Sequence, residues 1–197
     1  MAPPSGIGVI DTMIGFPDKD FAVYDFIRNQ LKDGESADFE FPVEYMFKNV
    51  PKELYGSDAD PIEVTLGEMD RFGIEYGLIG CEGEQSQRAL TEHPDRFIPQ
   101  ANVDPNDVMG EVRKIRRLKD EWDIKAVGTF PVGCTPQVPI DSPLYYPIYS
   151  TCCELDIPIF VCAGVPGPRL PMSPQLVERI DQVLSLIHIS EPTRLEP

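Results

Sequence analysis

The stretch His93-Pro94-Asp95-Arg96-Phe97-Ile98-Pro99-Gln100-Ala101-Asn102-Val103-Asp104-Pro105 contains a stop, a strand and a start within thirteen residues. A residue followed by proline is pushed out of the helical region, so the helix predicted over 85–92 ends at His93-Pro94. Phe97 to Val103 reads as a short strand. Asp104-Pro105 then supplies an N-cap and a proline at the first helical position, and Val108, Val112 and Ile115 form the apolar stripe of the next helix.

The same grammar extends in both directions. Upstream, Gly6-Ile7-Gly8-Val9-Ile10-Asp11 reads as a first strand and Gly77-Leu78-Ile79-Gly80-Cys81 as a second. Between them Asp60-Pro61 repeats the cap-plus-proline signal, with Ile62, Leu66 and Met69 on one helix face and Gly73 as the stop. Downstream, Lys125 to Phe130 is a fourth strand and Ile157 to Cys162 a fifth. Asp141 is expected to cap a helix bearing Leu144, Ile148, Cys152 and Leu155. Ser173-Pro174 is expected to open another, with Leu176, Val177 and Ile180 inward. Short apolar strands alternating with amphipathic helices predict a parallel sheet covered by helices, either doubly wound or a (β/α)8 barrel.

Composition narrows the class. The 197 residues are 42% hydrophobic and 25% charged, as in a folded domain. A formal charge of −16 works against nucleic acid and anionic membrane as partners. No apolar run reaches the roughly 20 residues of a membrane span, and Met1-Ala2-Pro3-Pro4-Ser5 lacks a secretion signal, so a cytoplasmic protein is expected. Five cysteines without a CxxC pair read as free thiols, with Cys152 and Cys153 as small buried side chains. The Gly6-x-Gly8 pair lies within a strand, so it is no dinucleotide fingerprint, and no phosphate-binding loop motif occurs.

Two segments stand apart. Residues 16–60 are rich in aromatics and acids, too long for a structureless loop, and read as a helical insertion or lid with helices near Phe21–Leu31 and Val43–Asn49. Leu184 to Arg194, LSLIHISEPTR, resembles the translation of a sequencing-library adaptor. By that reading residues 1–183 form one partial domain and 184–197 an artefactual tail, so His188 carries no functional information.

Several pieces in order resemble the amidohydrolase-related family of metal-dependent hydrolases and nonoxidative decarboxylases. They are Ile10-Asp11-Thr12, His93-Pro94-Asp95-Arg96-Phe97 with Asn102-Val103-Asp104-Pro105, Pro139 through Tyr149, and Leu155 through Gly164. The resemblance implies a distorted TIM barrel. Such a barrel takes about 250 residues, so the chain is expected to hold about five βα units of a truncated (β/α)8 barrel, with the insertion after the first strand.

The family places two metal-binding histidines just after its first strand and another at the end of its fifth. Here Met13, Gly15 and Cys162 stand at those positions. No metal or other cofactor is therefore predicted from these residues, although the family typically binds zinc or another divalent ion.

A TIM barrel builds its active site where strands end, and that rim would carry Asp11, Glu82, Asn102, Thr129 and Cys162. Asp11 and Glu82 are the candidate catalytic carboxylates, as base or proton shuttle; otherwise Asp11 caps a turn and Glu82 with Glu84 is a solvated loop. Thr129, Cys162 and Arg169 are the candidate substrate contacts. Arg169 either clamps a carboxylate or stands on the surface, and Cys162 is otherwise a small buried residue. His93 lies at the far end of the barrel as a helix terminus. The expected function is hydrolysis of a small organic or aromatic acid-like substrate, with the fragment itself inactive. The alternatives are a carboxy-lyase of the same fold and a noncatalytic binding relative. The expected partner is a small molecule, with a homo-oligomer when full length.

Overall fold

The structure is a computed structural model that describes residues 8–16, 21–38 and 59–190. Five strands, β1 (Val9–Asp11), β2 (Ile74–Gly80), β3 (Phe97–Asn102), β4 (Ala126–Thr129) and β5 (Ile159–Val161), form one sheet in the order β1-β2-β3-β4-β5. Every pairing is parallel. A doubly wound sheet reverses its strand order at a switch point. The uninterrupted order instead matches a barrel wall, and the sheet is a curled half-barrel with helices on its outside.

The helices are α1 (Gly34–Ala37), α2 (Pro61–Phe72), α3 (Glu84–Glu92), α4 (Val108–Trp122), α5 (Tyr146–Glu154) and α6 (Glu178–Ser190). α2 follows its sequence signals closely. Asp60 Oδ1 accepts from Ile62 N at 3.0 Å, Pro61 stands at the first turn, and Gly73 closes the helix at φ +69°, where a Cβ would be strained. Ile62, Leu66 and Met69 are buried. α3 ends at His93, ahead of Pro94. Asp104 caps not α4 but a 3-10 turn, Pro105–Asp107, and Asp107 caps α4 in its place.

Two expected helix starts shift for the same reason. Ser142, not Asp141, caps a 3-10 turn at Pro143–Tyr145 that leads into α5. Asp141 pairs instead with Arg179, at 2.8 Å. A 3-10 turn advances the chain by three residues per turn, which rotates the buried face. Tyr145 is thus fully buried while Leu144 is 43% exposed. Likewise Ser173–Gln175 is a 3-10 turn ahead of α6, and Val177, expected inward, is 61% exposed.

Paired positions in a parallel sheet face the same side. Ile79, Phe97, Ala101 and Val127 turn outward and pack with Met69, Leu90, Ile115, Leu118 and Ile148 from the helices. Burying each such aliphatic side chain contributes about 1.5–3 kcal/mol. The inner face carries Leu78 with Ile98, Gly80 with Gln100, and Asn102 with Gly128 and Phe160.

Within the insertion a 3-10 helix runs over Phe21–Gln30. It docks on the β4–β5 side of the sheet, where Ile27 packs with Val132 and Leu170. Gln30 Nε2 donates to Cys134 O and Thr135 Oγ1, each at 3.1 Å. The helix expected at Val43–Asn49 lies outside the described residues. All five cysteines are free thiols; Cys152 is buried, whereas Cys153 is exposed, contrary to expectation. No helix among the described residues is long and apolar enough to cross a membrane.

Candidate functional site

The C-terminal ends of β1, β3, β4 and β5 border one cavity of about 470 Å3. Its position follows from the parallel wind, which leaves every strand-to-helix loop on the same rim. Met13 after β1, Phe130 after β4 and Phe160 in β5 give it an apolar lining, and Phe26 reaches it from the insertion. Gln100, Asn102 and Asp104 add polar groups from β3 and the loop beyond it.

The β3 end is held from outside. Lys114 on α4 donates Nζ to Asn102 O at 2.7 Å and lies 3.6 Å from Glu82. Asp104 Oδ1 accepts from Asn106 N at 3.0 Å and from Asn106 Nδ2 at 2.8 Å. Asn106 Nδ2 also donates to Pro136 O, tying the β3 loop to the segment after β4.

Of the five candidates from sequence, Thr129 and Cys162 line the cavity. The Thr129 hydroxyl is engaged within the wall, donating to Val103 O at 3.1 Å beside the Tyr145 hydroxyl. Burial pushes the Cys162 thiol above its ordinary range, which favours the protonated form. Asp11, Glu82 and Arg169 are not among the lining residues. Asp11 Oδ1 accepts from Met13 N at 2.9 Å, a local turn bond. Arg169 Nη1 lies 3.0 Å from both Asp33 Oδ1 and Glu35 Oε2, so it clasps the insertion to the loop after β5.

Sequence reasoning missed Gln100, Asp104 and Phe130 as lining residues. A signal existed for the first: Gln100 sits two residues before Asn102, hence on the same face, in a strand otherwise read as apolar.

The divalent ion that the family resemblance implies was tested against the donors present. Met13 offers an exposed thioether, Gly15 has no side chain, and Cys162 is a half-buried thiol. His93 lies at the entry to β3, where its Nε2 is 3.8 Å from Glu63. Among the described residues no three His, Cys, Asp or Glu side chains converge. These residues do not fit a histidine-and-carboxylate metal site.

A family model described as "Amidohydrolase" matches residues 23–188. No curated protein matches the sequence. Among solved structures, an uncharacterised TIM-barrel protein from Bordetella bronchiseptica is similar at a TM-score of 0.57 and 19% identity, over 91% of this chain and 63% of that one. The 5-carboxyvanillate decarboxylase of Novosphingobium aromaticivorans, complexed with manganese and 4-hydroxy-3-methoxy-5-nitrobenzoic acid, is similar at 0.55 and 20% identity. That likeness covers 83% of this chain and 52% of the decarboxylase. The chain thus spans less than two thirds of either protein, and at these identities the likeness establishes the fold alone.

Proposed function

The chain belongs to the amidohydrolase family, and from that premise we propose that the whole protein is an enzyme acting on a small organic acid or its derivative, aromatic ones first. The observation that carries this reading is the cavity at the strand ends, where Phe26, Phe130 and Phe160 flank a few polar groups. A mostly apolar cleft with a few placed polar atoms is the usual form of a small-molecule site. With a net charge of −16, nucleic acid and anionic membrane are disfavoured as partners.

Hydrolysis of a C–N, ester or C–C bond is the first reading of the reaction. Asp104 is the carboxylate among the lining residues, and we assign proton transfer to it ahead of Asp11 and Glu82 at the rim. Asn106 holds one of its oxygens and so fixes the carboxylate plane. The aromatic walls exclude water from the ring of a bound substrate.

Nonoxidative decarboxylation is the second reading. The aromatic lining favours it, together with the fold shared with a decarboxylase of a ring acid.

The test is a panel of aromatic acids, amides and esters offered to the full-length protein. Release of the free acid from an amide or ester supports hydrolysis, and carbon dioxide release supports the second reading. Replacing Asp104 with Asn is expected to lower kcat at least about 100-fold. Binding without turnover would make the protein a noncatalytic relative, and failure to bind any ring compound would overturn the assignment of the cavity.

A further inference from the structure

Phe26 and Ile27 are adjacent in the chain and face different surroundings. In a helix of three residues per turn, neighbours point about 120° apart. Ile27 is 1% exposed and seated on Val132 and Leu170, whereas Phe26 is 54% exposed and lines the cavity. One turn of the insertion is thus both an anchor and a piece of cavity wall.

The base under that anchor is tied down. Gln137 Nε2 donates to Val132 O at 3.0 Å and to Pro171 O at 3.1 Å, which joins the loops after β4 and β5. Gln175 Nε2 donates to Gly164 O at 3.0 Å and holds the start of the β5 loop. The insertion is fastened to this base more lightly. Its ties are Ile27, the Gln30 amide, and Arg169 on Asp33 and Glu35. A ten-residue run of 3-10 winding has poor internal hydrogen-bond geometry, so these contacts rather than its own ladder keep it in place. A small apolar contact and exposed polar bonds mark a segment that opens before the rest of the fold.

We infer that residues 21–38 form a strap over the β4–β5 side of the cavity, with Phe26 as a removable wall and Arg169 as the latch. The inference rests on the proposed small-molecule site and concerns access to it. Releasing Arg169 from its two carboxylates lets Phe26 leave the wall, and a ligand enters on the side where Cys162 stands. Because the latch is made of exposed ion pairs, access rises with ionic strength.

The cavity thiol reads the strap without any substrate. Cys162 lines the cavity, while Cys153 is exposed on α5 and serves as the internal standard. Neutral iodoacetamide at about pH 8 alkylates thiolates, and peptide mass spectrometry gives the Cys162 rate relative to Cys153. Arg169→Gln is expected to raise that ratio at least about threefold. Loss of a nearby positive charge makes a thiolate scarcer and slows its reaction, so a gain reports access and not electrostatics. In the unmodified protein about 1 M sodium chloride raises the ratio, and in Arg169→Gln it has little further effect.

Phe26→Ala is expected to raise the ratio with the latch intact. Adding Arg169→Gln to it then changes the ratio by less than about twofold, because the latch acts through that wall. Arg116→Gln removes an exposed ion pair between α4 and α5 and is expected to leave the ratio unchanged. Glu35→Gln breaks one of the two latch pairs, spares the Asp33 cap, and carries the test if Arg169→Gln does not fold. An unchanged ratio in both latch variants overturns the strap. So does an equal gain in Arg116→Gln, or gains from Phe26→Ala and Arg169→Gln that multiply in the double variant. The measurement involves no turnover, so its failure leaves the enzymatic reading standing, and an inert acid panel leaves the strap standing.

Discussion

The Tyr145 hydroxyl stands 2.9 Å from Thr129 Oγ1, linking the turn before α5 to the end of β4 in the wall behind the cavity. Thr129 already donates its proton to Val103 O, so Tyr145 is the donor of the shared bond. Burial pushes the Tyr145 phenol well above its ordinary range, so it keeps that proton throughout the neutral region. The ring stacks on Tyr149, with centroids 5.4 Å apart. Tyr145→Phe removes one hydrogen bond and leaves Thr129 bonded to Val103, at an expected cost of about 1 kcal/mol. Thr129→Val takes the hydroxyl donor from the Val103 carbonyl and leaves the phenol only the Cys134 thiol beside it, and about 2 kcal/mol is expected. Urea unfolding with an unchanged slope measures both.

Arg169 joins the loop after β5 to Asp33 and Glu35, and Asp33 also caps α1 by accepting from Ser36 N at 2.7 Å. Arg169→Gln is expected to raise amide exchange across residues 25–36 several-fold while β2, β3 and β4 keep their protection. Exposed ion pairs are screened by salt, so about 1 M sodium chloride moves the unmodified protein the same way. Unchanged exchange in that segment would show that Ile27 and Gln30 suffice to hold it.

The cysteines sort by burial. Burial is the main cause that pushes Cys134 and Cys152 up to about 12, and it raises Cys81 and Cys162 too. Thiols react as thiolates. A disulfide reagent at pH 8 is therefore expected to find one fast equivalent, at the exposed Cys153, that vanishes in Cys153→Ser. The remaining thiols react fully only after unfolding. A fast second equivalent at Cys162 would mean that its thiol is open to the cavity as an anion.

Asp123 ends α4 in the left-handed region at φ +49°. Hydrogen bonds from Lys119 and then Lys125 hold its carboxyl down at about 2. Because the folded value lies below the unfolded one, its contribution is complete above about pH 4 and is lost as pH falls through about 2. Asp123→Asn is expected to lower the neutral plateau and to leave stability below about pH 2 unchanged, which makes the acid limb of a stability-against-pH curve shallower in that window.

Much of the fold was legible in the sequence because its punctuation is chemical. Asp60-Pro61 and His93-Pro94 fix helix boundaries through a side-chain cap and a steric clash, both local effects. The cap expected at Asp141 falls at Ser142 because a 3-10 turn carries Tyr145 inward, and the choice between 3-10 and α winding is made by the packing. The site was less legible. Gln100 was hidden in a strand of apolar character, although its place two residues before Asn102 puts it on the same face. Phe26 and Arg169 owe their places to contacts across more than a hundred residues, as the Arg169 bond to Asp33 illustrates, and no local pattern encodes those.

The consecutive order of the five strands bears on how the chain is made. Each strand pairs with the one before it, so every segment leaving the ribosome meets a neighbour already synthesised. From β2 onward this keeps the sequence separation of contacts lower than pairing with a distant strand would, whereas β1 and β2 must meet across the insertion. Assembly can then proceed vectorially, βα unit by βα unit, in the direction of translation.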